Sequence, residues 1–153
     1  AFESFDPGTG QSDIWIVPAE GGDPTRVTMD LGSDVHPSWS PEGTHIAFSS
    51  NRGGSWDIWT ISLADGTLTE ITNDPANELA PSWSPDGSRL AFQSDRNQNW
   101  DIYVVSTADG MERRITSHPG DESNPDCLVN CGLLVFDAHR RGSTQLWIID
   151  TEG

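Results

Sequence analysis

The sequence contains no lysine. Its eight basic residues are all arginines, set against 24 acidic ones, for a net charge of −16 over 153 residues. Without lysine there is no Schiff-base chemistry and no lysine general base. A field of this sign repels phosphate backbones and anionic headgroups, so nucleic acid is excluded as a partner, and the acidity is read as serving solubility. Long apolar runs are missing too. Stretches such as Leu146-Trp147-Ile148-Ile149 fall far short of the roughly 18 residues a spanning helix needs, so membrane insertion is not expected. The chain also lacks a Gly-x-Ser-x-Gly elbow, a Gly-x4-Gly-Lys-Ser/Thr phosphate loop and a His-Glu-x-x-His pair. No catalytic residue and no cofactor are therefore expected. His36, His45, His118 and His139 are scattered and read as polar residues rather than a metal cluster. Residues 95–101 alternate oxygen-bearing side chains as a calcium loop does, but lack its glycine and its terminal glutamate, so no metal site is expected.

Cysteine is scarce. Cys127 and Cys131 are too few for a four-ligand zinc site, with no histidine near them in sequence. They stand at either end of one turn, where two sulfurs approach bonding distance, so a disulfide and an oxidising compartment are expected.

What is abundant is repetition. Pro37-Ser38-Trp39-Ser40-Pro41-Glu42-Gly43 returns 44 residues later as Pro81-Ser82-Trp83-Ser84-Pro85-Asp86-Gly87, and a degraded copy opens at Pro125. Asp13-Ile14-Trp15, Asp57-Ile58-Trp59, Asp101-Ile102-Tyr103 and Gln145-Leu146-Trp147 keep the same beat, as do Phe48, Phe92 and Phe136. A period of this length marks a repeat architecture.

Each repeat reads as four short strands, A to D, divided by turn chemistry. Strand A carries Pro-Ser-Trp-Ser. Strand B is 44–50 or 89–94, strand C is 57–63 or 101–106, and strand D is 68–72 or 113–116. In Ser-Pro-Glu/Asp-Gly the proline presets a turn and the glycine takes the positive φ that follows. No stretch has helical periodicity, so the class is all-β. Four antiparallel strands per repeat describe the blade of a β-propeller, and stacking blades buries both faces. The seven tryptophans are read as packing between blades. A single domain over 1–153 divides into repeats at about 1–29 (BCD), 30–73, 74–117 and 118–153 (ABC), so three and a half to four blades are expected. The incomplete terminal repeats imply either a piece of a longer chain or copies that complete one another, which makes a homo-oligomer a possible partner state.

Trp-Ser-Pro-Asp-Gly, then Leu90-Ala91-Phe92-Gln93-Ser94-Asp95-Arg96, then Asp101-Ile102-Tyr103-Val104-Val105 and Arg114-Ile115-Thr116 resemble the WD-like propeller repeat of TolB type. The resemblance runs over residues 1 to 151, with Cys127-Leu128-Val129-Asn130-Cys131 as the departure. It implies a bacterial protein of the periplasm or cell exterior that acts as a protein-binding scaffold. The same repeat also forms the non-catalytic propeller of some prolyl-oligopeptidase-like peptidases, and a propeller serving a peptidase or a polysaccharide lyase is the enzymatic alternative.

One charged pattern recurs. Arg52, Arg96 and Arg140 are equivalent positions of the B–C loops, and Asp34, Glu78 and Glu122 are equivalent positions of the D–A loops. Strand alternation puts both loop sets at one end of the propeller. The pattern predicts either an ion-pair lock repeated in every blade or a charged rim that takes a protein or peptide. Residues 73–78 and 117–122 differ most in composition and are the best candidates for recognition.

Overall fold

The computed structural model describes residues 1–151. Within them are strands joined by turns and no helix, hence no helix long and apolar enough to cross a membrane. The strands form four antiparallel meanders. β1 (Phe2–Asp6), β2 (Gln11–Ile16) and β3 (Thr25–Arg26) make the first sheet. β4 (Asp34–Trp39), β5 (His45–Ser50), β6 (Asp57–Ser62) and β7 (Leu68–Glu70) make the second. The third is β8 (Glu78–Trp83), β9 (Arg89–Ser94), β10 (Asp101–Ser106) and β11 (Glu112–Arg114). The fourth is β12 (Glu122–Leu128), β13 (Leu133–Arg140) and β14 (Ser143–Asp150). These are propeller blades, numbered 1 to 4 below.

The middle strands show why blades must stack. In β5, Ile46, Ala47 and Phe48 are all fully buried, although successive side chains point to opposite faces. Ile46 and Phe48 face blade 1 and pack with Ile14, while Ala47 faces blade 3 and packs with Leu90 and Phe92. The same division recurs one blade on, where Ala91 and Ile102 meet Leu134 and Phe136. The core is therefore three similar apolar layers between blades. β4, β8 and β12 are the inner strands, and β8 packs against both of the others.

Each inner strand holds a device that the repeat pattern does not announce. Its pairing slips after Val35, Leu79 and Ser123, and the next residues, His36, Ala80 and Asn124, have φ of 54°, 55° and 51°. This is a β-bulge at a non-glycine residue followed each time by proline. The bulge aims a backbone N–H at the preceding blade. His36 donates to Glu3 Oε2 (2.8 Å), Ala80 to Ser49 Oγ (3.1 Å) and Asn124 to Gln93 Oε1 (2.9 Å). Glu3, Ser49 and Gln93 share one strand position, opposite Ile14, Ile58 and Ile102.

At the other end of the inner strands Gly43 and Gly87 take φ of 68° and 73°, with each N–H bonded to the carbonyl of Ser40 or Ser84 (2.9 Å). In blade 4 the same place is Cys131, also at positive φ (55°) and bonded through sulfur to Cys127. The outer strands are shorter than the pattern predicts, β7 ending at Glu70 and β11 at Arg114. Beyond them Thr72 and Thr116 turn inward, and their hydroxyls accept the N–H of Ile58 and Ile102 (2.8 Å each). The tryptophans are less uniformly packed than expected. Trp83 joins the apolar layer between blades 2 and 3, but its counterpart Trp39 is 42% exposed, because the three-stranded first sheet sets no inner strand beside it.

Candidate functional site

The recurring arginines and acids meet, each pair within its own blade. Arg52 Nη2 lies 2.9 Å from Asp34 Oδ1, Arg140 Nη2 lies 2.6 Å from Glu122 Oε1, and Arg96 Nη2 donates to Glu78 Oε1. The acids are not loop residues. Asp34, Glu78 and Glu122 open strands β4, β8 and β12 and are fully buried. Each begins its strand because its backbone also pairs there, opposite Ser50, Ser94 and Ala138. Arg140 likewise ends β13, whereas Arg52 and Arg96 lie in the B–C loops.

The aromatic residue of strand C completes the arrangement. The guanidinium of Arg52 sits 4.9 Å from the Trp59 ring centre, that of Arg96 4.4 Å from Tyr103 and that of Arg140 3.8 Å from Trp147. A planar cation stacked on a ring and hydrogen-bonded to a buried carboxylate is held on both flanks. Burial pushes the Asp34 carboxyl above its ordinary value, while hydrogen bonds from Ser50 and Thr28 and the Arg52 guanidinium pull the other way.

A second lock went unread in the sequence. The aspartates of the Asp-Ile-aromatic triplets, Asp13, Asp57 and Asp101, are buried. Arg26 bonds Asp13 and Arg114 bonds Asp101, each at 2.7 Å. Burial raises the Asp101 carboxyl, against the opposing pull of Arg114. The return of aspartate before isoleucine in three of the four copies was the available signal.

The locks leave the loop tips as the exposed surface of this end. Asn97 and Gln98 are exposed, as are Asn73, Pro75, Ser117, His118 and Pro119. The loop between β3 and β4 also exposes two large apolar side chains, Met29 at 74% and Leu31 at 91%. Beside Leu31 a hollow of about 360 Å³ runs to Asn51 and Arg52. Nothing in the sequence pattern marked Met29 or Leu31, because they fall between the repeating markers.

Blades of this topology and repeat define a β-propeller. The chain belongs to the TolB-type propeller family: the TolB beta propeller domain matches residues 66–153, and the Tricorn protease N-terminal beta propeller domain matches residues 9–99. The chain is similar to TolB from Acinetobacter baumannii (27% identity, TM-score 0.86, 98% of this chain and 38% of that one). It is also similar to a TolB from Agrobacterium tumefaciens (25% identity, TM-score 0.84, 94% of this chain and 55% of that one). It thus spans about half or less of their length. Tricorn protease homolog 1 of Streptomyces coelicolor is 40% identical over 47 residues, 31% of this chain and 4% of that protein. A puromycin-hydrolyzing peptidase of Mycobacterium tuberculosis shares the fold alone (15% identity, TM-score 0.69, 92% of this chain and 23% of that one).

Proposed function

We propose that this propeller is a non-enzymatic scaffold that binds a protein or peptide through the end bearing its B–C and D–A loops. The observation that carries this reading is the exposure of Met29 and Leu31 on a loop otherwise tied down. Arg52 bonds Asp30 in that loop at 2.8 Å, and Ser33 N donates to Asn51 Oδ1 at 2.8 Å. Apolar side chains presented on a fixed backbone lose little entropy on binding, which suits them to recognition. Arg52, Arg96, Arg140, Asp34, Glu78 and Glu122 then act by holding the loops in place. The family resemblance and the bonded cysteines both favour an extracytoplasmic address.

The test uses peptides selected on the intact protein from a displayed library. Replacing Met29 and Leu31 by serine is expected to weaken them at least tenfold. Met111→Ser, equally exposed but in the turn at the opposite end, is expected to leave them unchanged. Peptides that depend on Met111 and ignore Leu31 would overturn the reading.

A second reading has its own observation: the outward faces of blades 1 and 4 are the two halves of the inter-blade layer. Leu146 and Ile148 stand exposed on blade 4, and Phe2 and Val17 on blade 1. Copies joining head to tail would repeat the packing already present between blades.

A further inference from the structure

Blade 4 departs from its neighbours at one corner, and each departure removes a carboxylate or a hydroxyl group. In blade 2 the Arg52 Nε donates to Ser50 Oγ (2.8 Å), and its Nη2 reaches both Asp34 and Asp30. In blade 3 the Arg96 Nε donates to Ser94 Oγ (3.0 Å), and the guanidinium meets Glu78, Glu112 (2.6 Å) and Asp74 (3.8 Å). At the corresponding places of blade 4, Ala138 replaces the serine, His118 replaces Asp30 and Asp74, and Gln145 replaces the buried aspartate of the triplet. Arg140 is left with Glu122 as its one bonded carboxylate among the described residues, and its Nε is buried without a partner.

The backbone opens space beside this arginine. Residues 51–56 and 95–100 connect strands B and C of blades 2 and 3, whereas Arg141-Gly142 alone makes the turn in blade 4, both at positive φ (53° and 79°). The shorter turn leaves a cleft of about 470 Å³ lined by His118, Arg140, Arg141, Ser143, Gln145 and Trp147. Arg141 has no carboxylate partner among the described residues. His118 Nδ1 accepts the N–H of Gly120 at 2.9 Å, which leaves Nε2 as a donor. Two guanidinium groups and an imidazole thus share one cleft in a chain of net charge −16.

We propose that this cleft binds a carboxylate ligand, held by Arg140 and Arg141 with His118 as a further donor. The class follows from the chain itself, since carboxylates fill the equivalent space in blades 2 and 3. The flat fork of arginine suits that group, and the Trp147 ring fixes the fork of Arg140 in plane. The volume accommodates a ligand the size of an amino acid. Either a free organic acid or the end of a peptide carries the required group. The cleft lies at the same loop-bearing end but shares no residue with the Met29 and Leu31 patch, so variants at Met29 and Leu31 and variants at His118 and Arg141 distinguish the two readings.

Isothermal titration of the full chain with succinate, and with N-acetyl-trialanine as free acid and as amide, tests the proposal. Saturable binding of succinate or of the peptide acid, but not of the peptide amide, is expected. Success with the peptide acid alone assigns the site to chain ends, and success with succinate assigns it to free acids. His118→Asp, which restores the internal carboxylate, and Arg141→Gln should each weaken binding at least about tenfold. Both residues are exposed and lie outside the apolar layers, so both variants are expected to fold. No saturable heat with any carboxylate, equal binding of sulfate, or unchanged binding by His118→Asp would overturn the proposal.

Discussion

Arg52 illustrates how much one side chain does in this fold. It neutralises the fully buried Asp34, ties the loop before β4 through Asp30 and lies over both Phe48 and Trp59. Removing one member of a buried pair leaves the other charged and unsolvated, which costs about 3–5 kcal/mol. Arg52→Ala is expected to lower the unfolding free energy by about that amount in urea titrations. Arg140→Ala should cost less, because that arginine holds fewer partners. A loss below about 1 kcal/mol for Arg52→Ala would place the pair with exposed ion pairs instead.

Acid response separates two kinds of aspartate. The turn residues Asp65, Asp86 and Asp109 are held below their ordinary 3.8 by hydroxyl and backbone donors, led by Ser62, Ser84 and Ser106 respectively. Their folded values lie below the unfolded ones, so their contribution is present above 3.8 and disappears as pH falls through the folded values. Asp34 and Asp101, raised by burial, have the opposite sign: their contribution is largest below 3.8 and declines as pH rises through the folded values. Asp86→Asn should therefore be less stable than the parent at neutral pH, with the gap closing in strong acid. A gap that stays constant with pH would assign the effect to turn geometry instead of charge.

At the level of the strand, the inner-strand bulge is the feature most open to attack. Ala80 holds a φ of 55°, a region that a β-branched residue occupies only under strain. Ala80→Val is expected to cost about 1–3 kcal/mol in thermal unfolding, whereas Ala80→Gly should fall within about 1 kcal/mol of the parent. Equal tolerance of valine and glycine would mean that the bulge relaxes when challenged. The same element shows what the sequence conveys and what it conceals. Strands B and C were legible because Phe48, Phe92 and Phe136 and the Asp-Ile-aromatic triplets recur in kind. The bulge was not, because His36, Ala80 and Asn124 share a backbone angle but no side-chain chemistry. Their acceptors Glu3, Ser49 and Gln93 share only an oxygen. The arginine–carboxylate pairing was legible as a pattern, but the burial of its acids was not, since a strand start and a loop end look alike when proline follows three residues on. The cleft of blade 4 was hidden in substitutions, His118, Ala138 and Gln145, that read as decay of a repeat until their positions converge.

For the molecule as a whole, the two outer faces set the final expectation. Ile58 and Ile102 are fully buried because the next blade covers them, while Leu146 at the same position of blade 4 is 70% exposed and Ile148 beside it 66%. On blade 1, Phe2 takes the place of Phe48 and Val17 that of Ile61, and both are exposed where their counterparts are buried. The faces are complementary rather than identical, so any contact between copies would be head to tail, giving a ring if the rotation closes and a filament if it does not. Burying four such side chains contributes on the order of 1.5–3 kcal/mol each, opposed by the mutual repulsion of two strongly acidic chains. Added salt screens that repulsion and should favour assembly. In light scattering across a concentration series the mass is expected to rise above that of one chain, more steeply at high salt. Leu146→Asp with Ile148→Asp should return it to a single chain. A wild-type mass that stays at one chain at every concentration and salt level would show that these faces do not meet between copies.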